Sequence, residues 1–300
     1  DVYKRQILIN RHNKSHDQSR HRCRLQKISV QQPYFALTRL WGVPNEVIYG
    51  EFSVEQPLGF ENGPIAAAEV GRHLAILGSC AAAAWETEPK RYYLATKAQF
   101  TRFRDVATRK ENKKFQGRSE IIFKSKTALK IQALISATTP FASLVCEYRI
   151  LSEPAFFHLF KNLYTPSFTV ASSSPYKEIP ATTFEFSELN SITATVLGLS
   201  AQQCAGHFEN YPVWPVAIMA HTVAQTISKL LHRIVKEEKT YTIVRSSISI
   251  SELTSYAQEL TFHTQCLYAF RHLSHYSFET NVLLEGRIIG TGISEIIVDD

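Results

Sequence analysis

The word Phe60-Glu61-Asn62-Gly63-Pro64-Ile65 returns 148 residues later as Phe208-Glu209-Asn210-Tyr211-Pro212-Val213. At the same offset Gly50 meets Gly198, His73 meets His221 and Tyr93 meets Tyr241, so the correspondence runs well past one short word. A chain of 300 residues that repeats itself once at this spacing is expected to fold as two related units. Each is long enough to bury a core.

Both copies sit in the same surroundings. A strand-like run precedes each, EVIYGEFSV from Glu46 and ITATVLGLS from Ile192, with apolar and β-branched residues alternating. A long apolar run follows each, predicting helices over Pro64–Thr87 and Pro215–Lys239, both opened by a proline where a helix tolerates one. Four strand-like runs then follow in each half, starting at Arg91, Arg118, Leu129 and Ser143, and at Thr240, Glu259, Tyr276 and Ile288. One helix among several strands, twice over, predicts an α+β unit duplicated in tandem. The first unit is expected over 28–161 and the second over 184–300. The Ser-, Thr- and Pro-rich stretch 162–183 reads as the connection.

The first helix is apolar on every side except at Glu69, Arg72 and His73, which predicts a helix enclosed by sheet. Those polar residues and the abundant strand signal argue against membrane insertion. The net charge of +6 resides wholly in residues 1–27, where eight Lys/Arg face two acids; beyond them 25 bases balance 25 acids. A neutral body predicts no nucleic-acid partner. The basic segment reads as a disordered or non-native extension. Five scattered cysteines without a CxxC pair point to a reduced, cytoplasmic protein, and no ligand spacing predicts a metal site.

The second copy of the word resembles the active-site motif of the 3-hydroxyacyl-ACP dehydratases, His-Phe-x-x-x-Pro-x-x-Pro-Gly, whose hotdog fold wraps a long helix in antiparallel sheet. His207, Phe208, Pro212 and Pro215 stand at the motif's positions, and Gln225 at a glutamine position further along. The sequence departs at Val216, where the family has glycine, and at His221, where it has Asp or Glu. The resemblance implies a tandem double hotdog, a pseudo-dimer within one chain. It implies dehydration of 3-hydroxyacyl thioesters in fatty acid or polyketide-type synthesis. No cofactor is expected beyond the phosphopantetheine of ACP or CoA that carries the substrate, and an acyl carrier protein is the expected partner.

Such dehydration needs a base for the proton beside the carbonyl, an acid for the departing hydroxyl, and donors for the charge gathering on the thioester oxygen. The family draws its histidine and its acid from different protomers. By that logic His207 works with the first-half helix, where His73 occupies the acid's position and Glu69 is the nearby carboxylate. The other prospective site, Gly59 with His221, lacks the motif histidine and is expected to be silent. The substrate would lie against Phe208, Pro212, Pro215, Val216, Gln225, Arg72 and His221. Blander readings stay open: Glu69 can neutralise Arg72, and His73 can pair with His221 between the helices. A carrier-docking patch would draw on Arg72, Arg91, Lys97, Arg102 and Arg104. A hotdog thioesterase using Glu69, and a degenerate double hotdog that only binds acyl chains or ACP, are the alternative functions.

Overall fold

Strict alternation builds most of the sheet. In the strand Ala128–Ser136, Leu129, Ile131, Ala133 and Ile135 point into the core, and Lys130 and Gln132 point away. The computed structural model describes residues 27–43, 47–84, 90–103, 114–166 and 174–299. The basic segment up to residue 26, Arg104, and 167–173 of the expected connection lie outside the described residues.

The strands are β1 (Arg39–Val43), β2 (Val47–Ser53), β3 (Arg91–Arg102), β4 (Lys114–Lys124), β5 (Ala128–Ser136), β6 (Pro140–Ser152), β7 (Thr183–Glu188), β8 (Ser191–Val196), β9 (Tyr241–Ile250), β10 (Leu260–Phe270), β11 (His275–Leu284) and β12 (Arg287–Val298). They form one antiparallel sheet in the order β1-β2-β4-β5-β6-β3-β9-β12-β11-β10-β8-β7. Each six-strand half has the same order, read outward from the seam between β3 and β9. Across that seam Lys97 faces Ser249, Gln99 faces Ser247 and Thr101 faces Arg245. Gln99 and Ser247 are themselves 148 positions apart, so the seam register repeats the offset read from the sequence.

Among the described residues three α-helices accompany the sheet: α1 (Ala67–Ala83), α2 (Glu153–Leu159) and α3 (Val216–Val235). The two long ones match the predicted helices but are shorter. Pro215 stands just outside α3 as its N-cap residue, and Lys236 ends that helix in the left-handed conformation at φ 63°. Strands β1 and β7 and helix α2 were not foreseen. β7 begins at Thr183 and is almost wholly exposed at a sheet edge, so its residues carry little hydrophobic signal. The stretch expected to be a plain connection also contributes a core residue, Tyr176.

α1 is buried along nearly its whole length, charged residues included, and α3 carries a broad buried face. α1 packs on β2 to β6, α3 on β8 and β10, and the two helices pack on each other. One continuous apolar core spans both halves. A second cluster under α2 holds Tyr92, Leu94, Leu151, Phe156, Phe208, Tyr211 and Val213. No helix among the described residues is long and apolar enough to cross a membrane.

Close helix–sheet approach depends on Gly78. A Cβ there would lie 2.6 Å from the Tyr148 hydroxyl and 2.7 Å from Ile131 Cγ1. That hydroxyl donates to the Ala75 carbonyl at 2.7 Å, so it has little freedom to yield. Gly78→Val is expected to lower unfolding free energy by about 2 kcal/mol or more through overpacking, measured by urea denaturation; an unchanged midpoint would contradict this packing.

Candidate functional site

The two copies of the repeated word have diverged in structure. In the first, α1 has no side-chain cap of its own, and the Glu61 carboxylate takes that place by accepting from the Ala67 amide at 2.9 Å. Arg102 Nη2 lies 3.3 Å from the same oxygen, and both side chains are buried. In the second copy Glu209 is exposed, 3.5 Å from Lys90 Nζ, and accepts from Gln31 Nε2 at 3.2 Å. Gly206, at φ 80°, lets this loop lie against the chain at Gln31, where a Cβ would come within 2.3 Å of a carbonyl oxygen.

That turn buries His207 against Tyr34 and Phe208, at ring separations of 4.8 and 4.2 Å. Burial pushes the imidazole down to a pKa of about 3, so it is neutral near pH 7, and its Nδ1 has no hydrogen-bond partner. Phe208 also packs on Phe156, 5.4 Å between rings, and so anchors the loop. The buried Pro212 accepts from the Tyr256 amide at 3.2 Å, and Pro215 leads into Val216, the first residue of α3.

Each loop meets the helix of the other half. Cavity one, about 160 Å³, brings His207 and Phe208 together with Ala68, Gly71 and Arg72 of α1 and with Val216 and Ala217 of α3. Cavity two, about 380 Å³, brings Gly59, Phe60 and Glu61 together with His221, Gln225 and Ser228 of α3. Ala68 and Ala224 line both, so the cavities adjoin. This is the crosswise arrangement expected from the motif, but the chemistry is distributed differently.

Three acids meet near the start of α1. Arg72 pairs with Glu55 and Arg102 with Glu61. Glu69 does not take the expected ion pair with Arg72; the guanidinium turns to Glu55 instead. The Glu69 carboxylate is fully buried, accepting from the Glu55 amide at 2.6 Å and the Gln56 amide at 3.1 Å, with His73 Nε2 at 3.4 Å. Burial raises its pKa, opposed by those two amides, then by Arg72 and by His221 through space. Nor do His73 and His221 pair with each other. His73 stacks on Phe52 at 4.2 Å, and burial holds its pKa well below the usual value. His221 lies 3.4 Å from Gln225 Nε2; burial lowers its pKa and Glu69 raises it. Among the described residues, neither Glu69 nor His73 is in hydrogen-bond or ring contact with His207.

The ligand atoms of Glu55, Glu69 and His73 lie within 4.8 Å of one another, a spacing a cation could use. Backbone amides and Arg72 already engage both carboxylates, so the cluster is built as a hydrogen-bonded charge network. Arg72 and Arg102 are buried with acid partners and so do not form part of a carrier-docking face.

Glu61 is the residue that sequence reasoning passed over, although it belongs to the repeated word. Burial raises it to a pKa of about 7, against the lowering pull of Arg102 and the Ala67 amide. The cavity expected to be silent is therefore lined both by a carboxyl raised to a pKa of about 7 and by the His221 imidazole. Because the folded pKa lies above the ordinary 4.5, the folded state keeps a proton that the unfolded chain releases. The resulting stability is complete below about pH 4.5 and is lost as pH rises through 7. Relative to Glu61→Gln, wild type should lose about 3 kcal/mol of unfolding free energy across that window, measured by urea denaturation; parallel pH curves would contradict it.

No protein-family model matches the sequence, and no curated protein matches it. Solved structures do resemble the fold. The TesB protein of Mycobacterium avium subspecies paratuberculosis superposes with a TM-score of 0.58 at 9% identity, covering 87% of this chain and 96% of that one. A hot dog fold protein of unknown function from Alicyclobacillus acidocaldarius gives 0.57 at 9% identity, covering 90% and 99%. The 12:0-ACP thioesterase of Umbellularia californica gives 0.55 at 9% identity, covering 90% and 100%. The large antiparallel sheet around few helices, shared over nearly the full length of these structures, is a hotdog fold.

Proposed function

We propose that the protein is an acyl thioesterase built as a tandem double hotdog, hydrolysing acyl chains carried on the phosphopantetheine of CoA or ACP. The observation that carries this reading is the place of His221 on α3, an imidazole lining cavity two 3.4 Å from Gln225 Nε2. With Arg72 taken by Glu55, Glu69 is the one acid of the three without a guanidinium partner among the described residues. The resemblance to structures described as thioesterases supports the same reading. Nothing comparable favours dehydration, for which His207 would need an acid partner that its surroundings do not supply.

Hydrolysis follows from these positions. His221, neutral and lining cavity two, takes a proton from water as the water oxygen attacks the thioester carbonyl. Glu69 stabilises the imidazolium through its charge and is a positioning residue. The tetrahedral intermediate expels the thiolate, which recovers the proton from His221, leaving a free acid and the carrier thiol. Apolar walls at Leu58, Phe60, Ile179 and Phe184 hold the acyl chain.

Thiol release from acyl-CoA and acyl-ACP tests the proposal. His221→Ala should cut kcat/KM by about 10²- to 10⁴-fold. Glu69→Gln should reduce it too and shift the acid limb of the pH profile further down, because the Glu69 charge raises the His221 pKa. His207→Ala should leave hydrolysis within a few-fold. Formation of 2-enoyl thioester from a 3-hydroxyacyl substrate, lost in His207→Ala, would overturn the reading in favour of a dehydratase. Acyl binding without thiol release would overturn it in favour of a binding protein.

A further inference from the structure

Helix α2 leaves apolar surface bare at the place where the basic start of the chain joins the fold. Residues 156–164 read Phe-Phe-His-Leu-Phe-Lys-Asn-Leu-Tyr, six of nine being Phe, Leu or Tyr, yet only Phe156 is fully buried. Phe156 stacks on Tyr92 at 3.8 Å and so fixes the helix on the sheet. Phe157 is 41% exposed, and Leu159 and Tyr164 are each 52% exposed. The Phe157 and Tyr164 rings meet over Tyr211, at 5.6 and 5.5 Å, and Leu159 lies between them in the chain. Single exposed apolar side chains are ordinary, but a group of them held together in water marks an interaction surface.

Positive charge arrives at the same place. The Lys27 carbonyl accepts from the Arg91 amide at 3.1 Å, and Arg91 pairs across the sheet with Ser152, the N-cap residue of α2. Residues 1–27 hold eight Lys/Arg against two acids. Around the patch, Lys90, Arg91 and Lys161 are largely offset by Glu153 and Glu209, with Lys90 Nζ 3.5 Å from Glu209. The surplus of positive charge therefore belongs to the segment that enters the fold here.

An anionic lipid surface fits both features. Aromatic and leucine side chains enter the boundary between headgroups and acyl chains, Lys and Arg are attracted to anionic lipid, and firm peripheral binding takes both signals together. An acidic carrier protein would also be drawn by the charge, but under the proposed function it must dock at cavity two, which none of residues 27–30 or 153–166 lines. We infer that α2 and the basic N-terminal segment form a docking surface for an anionic bilayer. The protein lies on the lipid through this surface, and no helix among the described residues crosses it.

Co-sedimentation of the full chain with extruded vesicles tests the assignment. Vesicles of phosphatidylcholine containing about a third phosphatidylserine should bind it about tenfold or more tightly than pure phosphatidylcholine. Neutralising Lys14→Gln, Arg20→Gln, Arg22→Gln and Arg24→Gln together should raise the lipid midpoint about 10²-fold. Leu159→Glu, at a position half in water, should raise it about tenfold or more with an unchanged melting temperature. Leu159→Ser, which adds no charge, should act in the same direction more weakly. Binding unchanged by both Leu159 substitutions, no preference for phosphatidylserine, or displacement of the vesicles by an acidic acyl carrier protein would overturn the assignment.

Discussion

The pairing of β3 with β9 is the interaction on which the rest depends. It joins two six-strand halves through a register centred on Gln99 and Ser247. Because each half lays its long helix on the same face of the sheet, closing that seam presses α1 against α3. Two helices packed this way give up their freedom to expose charge. Glu69, Arg72 and His73, in the first turns of α1, are consequently buried and must find partners inside the protein.

The partners they find decide the chemistry. Two guanidiniums face three carboxyls near the start of α1, and the loop that carries Glu55 and Gln56 supplies the amides that hold the third. Burial raises the proton affinity of Glu69 against the pull of those two amides and of Arg72, and the Glu69 charge in turn raises the pKa of His221 on the other helix, which burial lowers. Under the proposed function, dividing the acid and the base between two halves of one chain gives a site that neither half could form alone. The same closure leaves cavity one between the small faces of the helices, separated from cavity two by little more than Ala68 and Ala224.

Much of this architecture was legible in the sequence, because repetition and alternation are local patterns that burial imposes directly. The offset of 148, both long helices and eight of the strands after them followed from those patterns. β7 escaped because an exposed edge strand has no apolar side to display, and α2 because its seven residues are too few for a helical period to register. The site was less legible. The repeated word located both loops and their crosswise partners, and it drew attention to His207, Glu69, His73 and His221. It could not show that Glu55, distant in sequence from Arg72, would take that arginine from Glu69, nor that Glu61 would be buried while its counterpart Glu209 stayed in solvent. Pairing choices among buried charges belong to tertiary structure, and local spacing does not encode them.

The most direct test of the central claim is a crystal structure with a non-hydrolysable thioether analogue of an acyl-CoA. The account predicts the sulfur and the adjoining carbonyl carbon equivalent in cavity two, within one water's reach of the His221 imidazole. The same atoms lodged in cavity one against His207, with cavity two empty, would contradict it.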